Sequence, residues 1–433
     1  MSADSDKGSG TGGAATRAAA ISALAKWLRI GVFPSRSLPE SSPFASEIVM
    51  GVLRNLTALD FAFGRFCRRQ PAPPARAALL VGAWQLLFGD DIPDYAAINE
   101  TVEAAKRARA ALPSFVNGVL RNVLRNREAI LGELAAAPLH VRTSHPQEIV
   151  ERWCKAFGDE RTAEICEAGL AVPMATAFAL PRDGLSAEEA TAALATRWRA
   201  AGIDCPPEVG NGSLALPIPH GVRIADLPGY AEGEFIIQDK AAFATVADFL
   251  EPQKGETILD CCAAPGGKTM QAAARVGGEG CVIALDNSEG RLARLRENLE
   301  RTRLGDRVEV ALCDAASPEL VERFGGRRID AILVDAPCSN SGVFARRPEA
   351  RWRWSAAEVA RLAKVQRAIL DNVALLGARR IVYSTCSIDP EENDAVAASF
   401  AEESAGRHVL LRSRTLLPSS DHDGAFAALL RRV

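Results

Sequence analysis

Two cysteines stand where a thiol could do chemistry: Cys338, in Asp335-Ala336-Pro337-Cys338, and Cys386, in Tyr383-Ser384-Thr385-Cys386-Ser387. Each follows a short aliphatic run that reads as a buried strand, so each falls at a strand end. A thiolate at a polar, electropositive site is a suitable nucleophile for an electron-poor double bond. The 5,6 double bond of cytosine is one such acceptor. Addition at carbon 6 makes carbon 5 enamine-like and able to attack an activated methyl group. Asp335 is close enough in sequence to Cys338 to hold a proton against the ring nitrogen during addition. The residues alone do not rank the two thiols.

A third chemical feature is the turn Asp260-Cys261-Cys262-Ala263-Ala264-Pro265-Gly266-Gly267-Lys268-Thr269. The apolar Thr257-Ile258-Leu259 precedes it and the helix-favouring stretch from Met270 to Arg275 follows it. A glycine pair at a strand-to-helix turn lets the backbone bend sharply and approach a ligand closely. The free N–H groups and helix dipole there attract negative groups. The spacing matches neither the phosphate P-loop nor the G-x-G-x-x-G loop.

These residues need a scaffold that brings strand ends together. Val282–Leu285 reads as a second strand ending in Asp286, about 20 residues after the glycines, where a doubly wound sheet places an acid for a ribose diol. Val308–Leu312 reads as a third, ending in Cys313-Asp314. Ile329–Val334 is a fourth, ending in Asp335, and Arg380–Ser384 a fifth. Helices are expected at 288–302, 356–376 and 391–403. This alternation predicts a mostly parallel sheet covered on both faces, with its ligands at the carboxyl edge.

At 433 residues the chain exceeds one ordinary domain. Hydrophobic residues at 48% and charged residues at 24% describe a globular protein. The net charge of −3 carries no general attraction for nucleic acid, so any such surface must be local. No apolar leader or membrane-length run is expected. The ten cysteines and five histidines show no metal spacing. The reading is a cytoplasmic protein with reduced thiols, no bound metal and no membrane partner.

Residues 1–16 are rich in Ser, Gly and Ala and are expected to be a disordered tail. Residues 17–138 read as an α-bundle of about five helices, with helical periodicity in 18–28, 48–66 and 77–88. Residues 1–140 hold 16 Lys and Arg against 12 Asp and Glu, a net +4. Arg65, Arg68, Arg69, Arg121, Arg125 and Arg127 could form a basic face. Residues 139–234 read as a small α/β module with strands at 175–180 and 213–216, and residues 235–433 as the α/β domain. Within the latter, the insertion from Gly342 to Trp354 interleaves Arg346, Arg347, Arg351 and Arg353 with Trp352 and Trp354. That composition suits backbone phosphates together with stacking on splayed bases.

The Ala-Pro-Gly-Gly-Lys-Thr turn, the Asp-Ala-Pro-Cys-Ser segment and Tyr383-Ser-Thr-Cys-Ser-Ile-Asp-Pro-Glu-Glu-Asn393 resemble, in order and spacing, the Nol/Nop/Sun family of RNA cytosine-5 methyltransferases. The N-terminal helices, with Val116-Asn-Gly-Val-Leu-Arg-Asn122, resemble the NusB-like RNA-binding domain. The combination resembles the bacterial Sun/RsmB layout, whose members modify small-subunit ribosomal RNA. The resemblance implies a NusB-like bundle, a linker module and a Rossmann-like class I methyltransferase domain. It implies S-adenosylmethionine bound by Cys262, Ala263, Ala264, Pro265, Gly266, Gly267 and Lys268, with Asp286 on the ribose, Asp314 near the adenine and Asp335 at the methyl end. It ranks Cys386 as the nucleophile and Cys338 as the thiol that assists product release. The partner would be 16S ribosomal RNA and the protein a monomer. The rival readings are a cytosine-5 methyltransferase of another RNA, such as tRNA, and a catalytically silent RNA-binding assembly factor.

Two departures from the family pattern stand out. Pro-Cys-Ser usually continues Gly-Thr-Gly, whereas here it continues Asn340-Ser341-Gly342. The lost glycine stiffens the loop, while the retained Gly342 leads us to expect activity. The linker module often carries an Arg-Val-Asn strand, and the corresponding residues here are Phe178-Ala179-Leu180.

Overall fold

A computed structural model describes residues 10–38, 42–181, 184–210 and 213–433. The described residues form two compact units, one running up to Leu170 together with Arg347–Trp352 and one of the remainder, from Ala171 to Arg346 and from Arg353 to Val433.

The first unit is helical. Its helices span Gly10–Ile30, Pro43–Arg54, Leu56–Gly64, Pro73–Leu87, Asp94–Arg107, Pro113–Arg125, Arg127–Ala135, Leu139–Arg142, Gln147–Phe157 and Asp159–Ala168. Proline opens three of the longer ones, where its missing N–H would be unbonded in any case. The apolar run at 48–66 is two helices rather than one, broken at Asn55. The helix expected from residue 18 starts at Gly10, so 10–16 are helical rather than part of a disordered tail; residues 1–9 lie outside the described residues. Ile21, Leu24, Ile48, Val52, Leu59, Leu80 and Leu120 are fully buried or nearly so in one core.

The division between the two units falls after Leu170. Residues 139–170 are stitched to the bundle by polar contacts. The Ala58 amide donates to Ser144 Oγ at 3.0 Å. The Arg351 guanidinium donates to the Ser144 carbonyl at 3.2 Å and the Gly169 carbonyl at 2.7 Å.

The second unit holds two sheets. The strands are β1 Ala175–Ala179, β2 Glu208–Gly210, β3 Ser213–Ile218, β4 Phe235–Ile237, β5 Thr257–Asp260, β6 Cys281–Asp286, β7 Val308–Leu312, β8 Ala331–Asp335, β9 Arg380–Thr385, β10 His408–Leu416 and β11 Ala425–Arg432. The smaller sheet is antiparallel, in the order β2-β3-β1-β4. The larger runs β10-β11-β9-β8-β5-β6-β7, with β5 to β9 parallel and β11 antiparallel to both neighbours. Side chains alternate between two cores. Ile258, Val282 and Leu333 pack on one face with Leu292 and Leu295, whereas Leu259, Ile283 and Val334 pack on the other with Ile369 and Phe400. Successive strands step outward from β5 through β6 to β7, and the chain then returns to place β8 on the other side of β5. That reversal is the switch point at which open α/β sheets bind ligands.

Candidate active site

The glycine turn sits at the switch point. Gly266 has φ +110°, and a Cβ there would meet Leu295 Cδ1 at 2.5 Å, so only glycine fits. The helix Gly267–Val276 starts from it. Asp260, at the end of β5, is 2% exposed, and its Oδ2 accepts from Thr269 Oγ1 at 2.7 Å. Burial, reinforced by nearby Asp335, pushes its carboxyl up to about 7 against the Thr269 hydrogen bond. Burial likewise raises the thiols of Cys261 and Cys262.

Asp286 ends β6 as expected and is 1% exposed. Its Oδ1 accepts from the Ser288 amide at 2.9 Å and pairs with Arg291 Nη2 at 2.9 Å. Its Oδ2 is buried without a hydrogen-bond partner. An orphaned acceptor beside a glycine turn that admits close approach fits a ribose diol. Asp314, after β7, is exposed and accepts from the Ala316 amide at 3.0 Å.

Between this edge and the thiols lies a charged pair. Lys268 Nζ donates to Asp335 Oδ2 at 2.7 Å, and Ser384 Oγ donates to Asp335 Oδ1 at 2.8 Å. Burial works against the Lys268 ammonium, but Asp335, with Cys386 and Asp260 behind it, holds its pKa above the ordinary lysine value. Ser384 comes from β9 and Asp335 from β8, which pair in register at those two positions.

The two sulfurs converge. Cys338 Sγ and Cys386 Sγ are 3.2 Å apart, and both cysteines are free and half-buried. Cys386 Sγ also donates to Asn340 Oδ1 at 3.3 Å. The hydrogen bond to Cys386, then burial, holds the Cys338 thiol well above the usual range.

A dense polar layer fixes the two cysteine loops to each other. Glu392 Oε1 accepts from the Ser339 amide and from Gln366 Nε2, each at 3.0 Å, and Gln366 also reaches the Pro337 carbonyl. Asp389 Oδ2 accepts from Ser339 Oγ at 3.1 Å and Trp354 Nε1 at 2.9 Å. Asn393 spans Thr385 Oγ1 and the Ser387 carbonyl. Gly342 donates to the Cys386 carbonyl at 3.0 Å, and a Cβ at Gly342 would lie 2.5 Å from the Gly424 oxygen. The residues from Ser387 to Asn393 are therefore structural supports of the thiols.

The arginine and tryptophan insertion divides. Arg347 and Arg353 are exposed. Arg351 is not: it is 0% exposed, with burial and then Arg54 pushing its pKa down to about 9. Its guanidinium is spent on the backbone carbonyls of Ser144 and Gly169, so the expectation that it contacts RNA is corrected to an internal anchor. Arg346 bridges Asp239 and Asp423 at 3.0 and 2.7 Å, and Trp352 donates its indole N–H to the Leu53 carbonyl at 2.8 Å. Both are committed inside the protein. In the bundle, Arg65 pairs with Glu133 and Arg127 with Asp94, while Arg68, Arg69, Arg121 and Arg125 are exposed. Sequence reasoning missed Asp260 and Asn340 as site residues. For Asp260 the signal was present, an acid ending a strand just as Asp286 does. Among the described residues no group of His, Cys, Asp and Glu could hold a metal ion, and no helix is long and apolar enough to cross a membrane.

Comparison with known proteins adds to this geometry. Residues 247–431 match the family model described as 16S rRNA methyltransferase RsmB/F, and residues 14–125 match the NusB family. The chain is 35% identical to the ribosomal RNA small subunit methyltransferase B of Vibrio cholerae, over 96% of this chain and 97% of that one. It is 36% identical to the probable ribosomal RNA small subunit methyltransferase B of Bacillus subtilis, over 83% and 79%. Among solved structures, PH0851 superposes with a TM-score of 0.74 at 22% identity, covering 97% of this chain and 99% of its own. NSun6 from Pyrococcus horikoshii superposes at 0.57 and 20%, covering 66% and 98%. Both likenesses are of fold.

Proposed function

The chain belongs to the RsmB/F family of 16S ribosomal RNA methyltransferases, and on that premise we propose that it methylates carbon 5 of a cytosine in small-subunit ribosomal RNA through a covalent bond between Cys386 and the base. The observation that carries this reading is the convergence of two free thiols, 3.2 Å apart, at the ends of neighbouring strands and beside the Lys268–Asp335 pair. An RNA-binding protein without chemistry has no use for that arrangement.

S-adenosylmethionine, when bound, supplies an electrophilic methyl group at this edge. The chain's own residues do the rest. The glycine turn from Cys262 to Lys268 admits the donor closely, and Asp286 Oδ2 offers its free acceptor to the ribose. Asp314 stands at the adenine side. A cytosine taken out of its stack presents its ring to the thiols. The Cys386 thiol gives up its hydrogen as its sulfur bonds to carbon 6, the ring nitrogen gains a proton in exchange, and the displaced π electrons make carbon 5 nucleophilic. Asp335, held by Lys268 and Ser384, faces the ring nitrogen and passes it a proton as the sulfur adds, so that no negative charge is left on the ring. After carbon 5 is methylated, loss of its proton drives the electrons back and breaks the bond between sulfur and carbon 6. Cys338, which stays protonated at rest with its sulfur 3.2 Å from that of Cys386, gives the departing sulfur a hydrogen bond that stabilises it as it leaves carbon 6. Exposed Arg347 and Arg353 suit the RNA backbone.

The test is product identity. 16S ribosomal RNA incubated with the protein and labelled S-adenosylmethionine should yield 5-methylcytidine after digestion. Label in another nucleoside, or in tRNA alone, would overturn the reading.

A further inference from the structure

The loop between the two thiols contains a residue that this mechanism does not use. Asn340 adopts φ +63°, ψ +25°, the left-handed conformation that asparagine tolerates better than other side-chain-bearing residues. Its carboxamide lies between the cysteines. Nδ2 donates to the Cys338 carbonyl at 2.9 Å, and Oδ1 lies 3.3 Å from Cys386 Sγ. The orientation is forced, because the Cys338 carbonyl can only accept and must face the amide nitrogen. The carboxamide oxygen is therefore turned to Cys386 and, being an acceptor only, must take the Cys386 S–H. With that hydrogen committed, the 3.2 Å contact between the sulfurs has to be donated by Cys338. The protons form a directed row, from the Cys338 S–H to the Cys386 sulfur and from the Cys386 S–H to Asn340 Oδ1.

We infer that Asn340 is a positioning residue that orders this row: it holds the Cys386 thiol in a fixed rotamer in the resting state and keeps the Cys338 hydrogen aimed at the Cys386 sulfur. The inference rests on the proposed function for its catalytic meaning, but the thiol arrangement can be tested without it. When Cys386 gives up its proton, the Cys338 hydrogen bond becomes charge-assisted and strengthens. Asn340 Oδ1 then faces a negative sulfur and must turn away, which clears the side on which the base is attacked.

Asn340→Gly and Asn340→Asp test this. Glycine accepts the same backbone angles, so the loop survives while the acceptor is lost. Aspartate loses the donor toward the Cys338 carbonyl but keeps an acceptor toward Cys386, and adds negative charge that opposes thiolate formation. Iodoacetamide labelling, mapped to Cys386 by peptide mass spectrometry, should be fastest in Asn340→Gly, intermediate in the unaltered protein and slowest in Asn340→Asp. In methyl transfer, kcat should fall roughly three- to tenfold in Asn340→Gly with KM for RNA within about twofold, because orientation is lost and binding is not. Equal labelling in all three proteins with kcat unchanged in Asn340→Gly would overturn the inference and leave Asn340 as a turn residue. The same labelling order in a protein that transfers no methyl group would support the thiol arrangement and overturn the function it serves.

Discussion

Cys338 and Cys386 lie 48 positions apart in sequence and 3.2 Å apart in space, one beyond the end of β8 and the other beyond the end of β9. Because those strands are parallel neighbours, their register alone delivers both loops to one place. Glu392 and Asp389 then fix the loops to each other, and Asn393 braces the Cys386 loop.

Gly342→Ala should slow methyl transfer far more than it weakens cofactor binding. The added Cβ would press on backbone on both sides, 2.5 Å from the Gly424 oxygen and 2.9 Å from the Cys386 oxygen. Backbone cannot swing aside, so the Cys386 loop must shift, and a displacement on the order of 1 Å costs about 100-fold in rate. Steady-state kinetics alongside calorimetric titration of S-adenosylmethionine would separate the two effects. Gly266→Ala should do the reverse and weaken the titration first, since it closes the cofactor turn against Leu295.

Arg351→Met should destabilise the helical unit by roughly 2–4 kcal/mol, through backbone carbonyls left buried and unbonded. Urea unfolding followed by far-ultraviolet circular dichroism would read it. Arg353→Ala, at an exposed site, should change stability by less than about 0.5 kcal/mol. In salt-dependent RNA binding, Arg353→Ala should instead lower the slope of log affinity against log salt by about one. If Arg351→Met behaved like Arg353→Ala in both assays, the internal anchor would be refuted.

How much of this was readable in advance differs by element. The five parallel strands and their polar ends were legible because each is a short apolar run broken by a turn, and that pattern is local. β11 was not, since Ala425-Phe-Ala-Ala-Leu-Leu reads as helix-forming and becomes a strand only by pairing with β9 and β10. β10 lost its alternation to an irregularity between Leu410 and Arg412. The fate of Arg351 was hidden for another reason: a guanidinium offers the same five donors to phosphates and to carbonyls, and composition cannot tell which it meets. The lost glycine at 340 was visible, but its carboxamide contact with Cys386 requires the loop to close first.

Asp260 makes the unliganded protein less stable as pH rises. Its folded pKa, about 7, lies above its ordinary 3.8, so between those values the folded state binds more protons than the unfolded one. This stabilising contribution is full below about pH 4 and is lost as pH rises through 7, on the order of 4 kcal/mol in all. Urea midpoints measured from pH 4 to 8 should fall, and Asp260→Asn should flatten that fall. An identical slope in the variant would remove Asp260 as its source.

The most direct test of the central claim is the trapped covalent adduct. Cys338→Ala and Cys386→Ala would each be incubated with 16S ribosomal RNA and S-adenosylmethionine, denatured, and resolved for protein–RNA species. The account predicts that adduct accumulates in Cys338→Ala, where release is impaired, and that Cys386→Ala gives neither adduct nor methylated RNA. Adduct in Cys386→Ala and none in Cys338→Ala would make Cys338 the nucleophile and contradict the assignment.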